Sequence, residues 1–241
     1  MPGPRLRDSR NLTTHELYPL GQIPEAVIKK LGAYFVYLMA SGRDDITGDD
    51  FGDAFAYAIG GTHLKSPLGI ADVVYERQAW SMKTVKKTNP LRSGSIRLIS
   101  GRCSPDYSYG IQDPHEDIQK TGTAVLGIWN ERVNIARDNY NPVRTVILVR
   151  SEDLSTFSIF EEDNYRYSTN EFVWEENPNG NLVGKRGERT CFTWQPHGSQ
   201  FTIHTDIPAD AIKFRVRKPK AIPQEKILEA VGFNEDWVQI L

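Results

Sequence analysis

The run Val143-Arg144-Thr145-Val146-Ile147-Leu148-Val149 constrains this chain more than any other stretch. Apolar and β-branched residues at nearly every position predict a buried strand. It follows the longest helical pattern in the sequence, about His115 to Asn139, with apolar positions at Ile118, Val125, Ile128, Trp129, Val133, Ile135 and Ala136. A long amphipathic helix feeding a buried strand predicts an α/β core.

The elements upstream agree. Pro24 opens a helical stripe through Ile28, Leu31, Phe35 and Leu38 that ends at Ser41-Gly42. Thr47 followed by Asp50 has the form of a capping box, starting a second helix through Phe51, Phe55 and Ile59 to Gly60-Gly61. Ile70–Glu76 and Ala79–Val85 predict two strands joined by a short turn near Arg77, and Ser95–Ser100 a third. Pro105-Asp106 is expected in a loop. From Leu154 onward, strand-like pairs (Phe157/Ile159, Phe172/Trp174, Phe192/Trp194, Phe201/Ile203) dominate, with a turn at Asn177-Pro178-Asn179-Gly180 and a short helix from Pro223 to Gly232. The expected organisation is one unit over 1–241. An irregular arm covers the first twenty-two residues, an α/β core spans 23–150, and a β-rich extension spans 151–241.

Several classes drop out on composition. The longest apolar stretch, Ala33–Ala40, is far short of the ~20 residues that span a bilayer, and MPGPRLRDSR has no apolar signal region. No membrane association and a cytoplasmic location are therefore expected. Two cysteines, Cys103 and Cys191, exclude a disulfide scaffold and a four-cysteine metal site. Cys191, His197 and His204 match no standard zinc spacing. No phosphate-binding Gly-rich loop, dinucleotide fingerprint or His-Glu-x-x-His motif occurs.

The chemistry concentrates between residues 51 and 87. Asp53 lies on the second helix. Asp72 interrupts an otherwise apolar strand (Ile70, Ala71, Val73, Val74), where a carboxylate needs a partner. Ser81 and Lys83 are two apart on the next strand, so both side chains share a face. An acid on one strand beside a polar residue and a lysine on its neighbour can hold an oxygen-seeking Mg²⁺ close to a cation.

On Asp53, Asp72 and Ser81-Met82-Lys83 the sequence resembles the PD-(D/E)XK nuclease superfamily, and within it the Type II restriction endonucleases. The resemblance covers residues 46–87, and 88–149 in element order only. It implies a restriction-endonuclease-like core, a mixed central sheet flanked by helices, with Mg²⁺-dependent hydrolysis of phosphodiester bonds in double-stranded DNA. Asp72 would bind the metal with a second carboxylate and the Met82 main-chain carbonyl, and Lys83 would orient the attacking water. The sequence departs from the pattern twice: Ala71 precedes Asp72 where a proline is usual, and Ser81 replaces a carboxylate. Glu76, Glu116 and Glu131 are the candidates to supply the missing acid, Glu76 because it shares a strand face with Asp72 and Val74, and Glu131 because the following helix packs near the site in the family. Asp53 would be the early-helix acid and a further metal ligand.

The net charge of −2 conceals blocks of opposite sign. Residues 83–102 hold six cations and no acid, including Lys86 and Lys87; residues 151–176 hold eight acids against Arg166. Lys213, Arg215 and Arg217 alternate along one strand face, and Lys185, Arg186 and Arg189 surround a glycine-bounded hairpin. These eight are the candidate DNA contacts. Cleavage of both strands of a symmetric site favours a homodimer. The competing expectations are a catalytically inactive DNA-binding module of the same fold, for which Ser81 speaks, and a repair or structure-selective nuclease.

Overall fold

The computed structural model describes residues 16–92 and 94–241, with the main chain alone at 65–68. Pro2, Pro4 and most of the expected arm therefore lie outside the described residues. Helix α1 (Glu25–Ala40) buries the predicted stripe, including Leu31 and Phe35. Helix α2 (Gly48–Ile59) starts on the expected capping box: Thr47 Oγ1 accepts from the Asp50 N–H at 3.1 Å, and Asp50 Oδ2 from the Thr47 N–H at 3.0 Å. Gly60 ends it with φ 74°, a left-handed conformation that glycine adopts without strain.

Strands β1 (Thr62–Leu68), β2 (Ala71–Tyr75) and β3 (Gln78–Lys86) form an antiparallel meander. The chain then leaves through β4 (Ser95–Arg102), a short helix α3 (Pro105–Tyr109) and α4 (Ile118–Asn139), and returns as β5 (Val143–Arg150), parallel to β3. Strand β6 (Thr156–Asp163) pairs antiparallel with β5. Next come β7 (Val173–Glu176), β8 (Leu182–Arg186), β9 (Arg189–Gln195), β10 (Gln200–Asp206), β11 (Ile212–Arg215) and α5 (Gln224–Ala230). The molecule is mixed α/β, with five α-helices and two sheets among the described residues. One sheet runs β1-β2-β3-β5-β6-β11, the other β4-β10-β9-β8-β7.

All eight residues of β5 are buried, as the apolar run predicted, because both its faces are covered. Val146 and Leu148 point toward α1 and α2, joining Phe35, Phe55, Trp80 and Phe157. Val143 points toward α4, where Val125, Trp129 and Val133 meet Phe192, Trp194 and Phe201 of the second sheet. Ile147 and Val149 pack directly against Ile96 and Leu98 of β4. Helix α4 thus lies between the sheets. Its tightest contact is at Gly122, where an added Cβ would come within 2.2 Å of the Trp174 ring.

Three expectations change. Strand β1 is an addition. Its Pro67 and its irregular pairing between His63 and Leu68 hide the strand period, and an edge strand tolerates both. Pro105-Asp106 opens a helix rather than a loop: proline needs no N–H at the first helical position, and Ser104 caps the turn. The division at residue 150 does not separate the sheets, since β6 and β11 extend the first sheet and β4 joins the second. Pairing partners come from anywhere in the chain, and strand pattern carries no address.

Residues 16–22 are held by the buried pair Glu161 and Arg144, and Arg144 itself donates to Tyr18 O at 3.1 Å and to Glu16 Oε2 at 3.0 Å. Glu161 Oε1 accepts from Tyr18 Oη (2.9 Å) and Trp80 Nε1 (2.8 Å), and Oε2 from the Gly21 N–H (3.1 Å) and Arg144 Nη1 (3.4 Å). Burial pushes the Glu161 carboxyl up, while the Arg144 charge and the hydrogen bonds pull it back.

Candidate active site

The site forms where the β2–β3 ladder ends. Pairing runs from Tyr75↔Gln78 to Val73↔Trp80 and continues no further. At that point Asp72 Oδ2 accepts the Met82 main-chain N–H at 2.7 Å and Ser81 Oγ at 3.3 Å. The carboxylate takes the place of a ladder acceptor, which is the partner an acid in this apolar strand required. Oδ1 has no hydrogen bond among the described residues, and Asp72 lines a cleft of about 570 Å³ with Asp53, His63, Met82 and Lys83.

Lys83 shares the face of Ser81 and Asp72, as the strand period requires. Its ammonium makes no hydrogen bond or ion pair among the described residues. Burial pushes its pKa down, the Asp72 charge pulls it up, and the Arg132 guanidinium adds to the lowering. A desolvated lysine beside a carboxylate with a free oxygen is the kind of perturbed pair that clusters at functional sites.

Asp53 lines the same cleft but is committed to His63: His63 Nδ1 lies 2.8 Å from Asp53 Oδ1. The imidazole rests on Gly52, where an added Cβ would fall 2.5 Å from His63 Nε2. Gly52→Ala is therefore expected to displace the ring, break the Asp53 contact and cost roughly 1–3 kcal/mol. A thermal melt checks it, and an unchanged melting temperature would show that His63 relaxes freely.

The other candidate acids are elsewhere. Glu76 is not on the strand: β2 ends at Tyr75, and Glu76 occupies the turn, exposed, with φ 51°. Glu116 is exposed ahead of α4, in a separate cleft with Tyr109 and Lys120. Glu131 points outward on α4 and accepts from Asn134 Nδ2. For Met82, the main-chain N–H is what meets Asp72. Among the described residues, no three Asp, Glu, His or Cys side chains converge as a metal-ligand set.

Two residues at the site were not legible in the sequence. His63 lies on the concealed strand β1. Arg132 follows Glu131 but turns inward, donating to Ser100 O at 2.9 Å and Gly69 O at 3.4 Å. Only its position on the buried side of α4 could have marked it.

Of the candidate DNA contacts, four are engaged with acids: Lys86 with Glu152 (2.7 Å), Lys185 with Glu175, Arg186 with Glu171 (3.4 Å) and Arg189 with Asp206 (2.9 Å). Lys87 donates to Ser95 O. Lys213, Arg215 and Arg217 are exposed and free of ion pairs among the described residues.

No helix of the described residues is long and apolar enough to cross a membrane. Comparison with protein-family models, with curated proteins and with solved structures finds no match to this chain.

Proposed function

We propose that this protein is a Mg²⁺-dependent, sequence-specific endonuclease acting on double-stranded DNA, of the Type II restriction kind, built on a restriction-endonuclease-like core. One observation carries the reading: Asp72, Ser81 and Lys83 share one face at the fork between β2 and β3, beside an open cleft. The order of helix, three-strand meander, crossover helix and parallel strand supports it.

The donor set suits Mg²⁺, which takes oxygen ligands, keeps several waters and needs only one or two carboxylates besides substrate phosphate. Asp72 Oδ1 would hold it, with Asp53 a further acid lining the same cleft once released from His63. When bound, the ion would acidify a water and neutralise charge on the phosphate. Lys83 would orient the attacking water and stabilise the charge that develops on the non-bridging oxygens. Ser81 and the Met82 N–H hold the Asp72 carboxylate in place. The products would be 5′-phosphate and 3′-hydroxyl ends. Cutting both strands of a symmetric site would take two copies, and free thiols at Cys103 and Cys191 suit a reducing cytoplasm.

Strand β11 lies four strand steps from β2, about 19 Å, so Lys213 and Arg215 on it, with Arg217 two residues past its end, would hold phosphates five or six base pairs from the cut. Replacing all three by alanine is expected to reduce the slope of log affinity against log salt by about 2.7, or roughly 0.9 per cation. Fluorescence anisotropy across a salt series measures it; an unchanged slope would place the DNA elsewhere.

The direct test is incubation of the purified protein with long unmethylated DNA, with Mg²⁺ or with EDTA. Discrete Mg²⁺-dependent bands are expected, and a smear would point to a nonspecific or repair nuclease. Ser81 in place of a carboxylate, with Glu76, Glu116 and Glu131 all remote, favours the second reading, a DNA-binding module without catalysis. Uncut DNA that still shifts on a gel would establish it.

A further inference from the structure

Residues 221–241 carry a helix and a 3₁₀ turn yet build no core. Helix α5 closes with paired terminal bonds, Phe233 N–H to Leu228 O at 2.9 Å and Gly232 N–H to Glu229 O at 3.1 Å, with Gly232 at φ 70°. Phe233 and Trp237 then meet edge to face, 5.8 Å between centroids. None of these residues is buried. Ile227, Val231, Phe233, Trp237, Val238 and Ile240 all face water, Trp237 at 61% and Ile240 at 98% exposure. An apolar surface of this extent on an ordered segment marks an interaction site.

A second exposed apolar surface adjoins the root of this arm. The Ile222 N–H donates to Ala40 O at 2.7 Å, at the end of α1. One turn earlier, Tyr37 is 62% exposed, and Tyr57 of α2 is 61% exposed. Both rings pack on Tyr34, at 5.6 and 5.5 Å, forming an aromatic patch that the arm of the same chain leaves uncovered.

We propose that the arm of one copy covers the Tyr34–Tyr37–Tyr57 patch of a second copy, and that the reciprocal contact closes a two-fold dimer. Three features select a second copy of this chain. The two apolar surfaces adjoin at Ala40, so each copy presents both halves of a self-complementary interface, as two-fold symmetry demands. The arm carries Glu225, Glu229, Glu235 and Asp236 against Lys226, while Lys218 and Lys220 at its root are exposed cations. An acidic arm crossing to another copy therefore meets a basic root, while Asp50 and Asp53, whose charges act on Tyr34, face the same patch. The size also fits, since a stable interface takes roughly 20–30 residues from each side and the arm alone supplies about that number. This names the segment that would build the dimer on which two-strand cutting rests.

The test is the solution mass of the whole chain, without DNA or Mg²⁺, by sedimentation over a range of micromolar concentrations. The expected mass is that of two chains. Deletion of residues 221–241, the pair Phe233→Ser with Trp237→Ser, and the pair Tyr37→Glu with Tyr57→Glu should each weaken association at least tenfold. The deletion removes no buried side chain, so its melting transition should persist and report intact folding. Mixing the deletion with the Tyr37/Tyr57 variant should restore some two-chain species, because one good arm then meets one good patch. A single-chain mass for the whole protein, or a dimer unchanged by the deletion, overturns the proposal. Neither result bears on catalysis at Asp72 and Lys83, so the two readings fail separately.

Discussion

Asp72→Asn is expected to lose Mg²⁺-dependent DNA cleavage by at least about 10³-fold with the fold intact. The amide keeps an oxygen where Oδ2 accepts the Met82 N–H, so the fork between β2 and β3 retains its hydrogen bond. What disappears is the charge that would hold the cation. Lys83→Met is expected to lose cleavage to a similar extent and to melt higher than the natural protein. Lys83 is desolvated, has no ion-pair partner among the described residues and lies near the Arg132 guanidinium, so its charge opposes folding. Its pKa in the folded state is below the unfolded value of about 10.4. That opposition is therefore fully present below the folded pKa and fades as pH rises from there toward the unfolded value. The stability gain of Lys83→Met should accordingly shrink as pH rises toward the unfolded value. Cleavage rates and melting temperatures of both variants across pH decide the matter. Mg²⁺-dependent cutting that survives in either variant would remove the site assignment, and a Lys83→Met protein that melts lower would remove the account of the buried charge.

The second large effect concerns stability. Arg144→Ala is expected to cost about 3–5 kcal/mol, because it leaves the Glu161 carboxylate buried without its cation. At roughly 2–4 °C per kcal/mol for a chain of this size, the melting temperature should fall by about 6–20 °C. Glu161→Ala should be comparably severe, since it orphans the Trp80 indole N–H, the Tyr18 hydroxyl and the Gly21 N–H together. Both variants also release residues 16–22 from the sheet, so proteolysis near Tyr18 should accelerate. The two losses should not add, because the residues share one network, and the double variant measures that coupling. A loss under 1 kcal/mol for Arg144→Ala would mean that water reaches Glu161 and the network is not dry.

Elements whose chemistry is local were legible in the sequence. The α1 stripe, the Thr47–Asp50 capping box and the β5 run each state their structure through nearest neighbours in the chain, and the structure shows all three. The placement of Ser81 and Lys83 on a common face was legible for the same reason, since a strand's period of two is a local rule; that Asp72 joins them came from the pairing of β2 with β3. The acid that would join Asp72 was not. Glu76 shares the alternation of β2 on paper, but the strand ends one residue before it and the turn sends it away.

The sequence by itself determined α1, α2, α4 and β5 and the common face of Ser81 and Lys83, because propensity, capping and periodicity act over a few residues. Only the tertiary structure decided that β4 joins one sheet while β6 and β11 join the other, and that Arg132 turns inward to Ser100 O and Gly69 O. It alone showed Asp53 bound to His63, Glu161 gathering the chain near Tyr18, and the arm after Ile222 left without a core. The reason is physical: which residues meet across 50 or 150 positions depends on which surfaces bury together, and burial is a property of the whole packed chain.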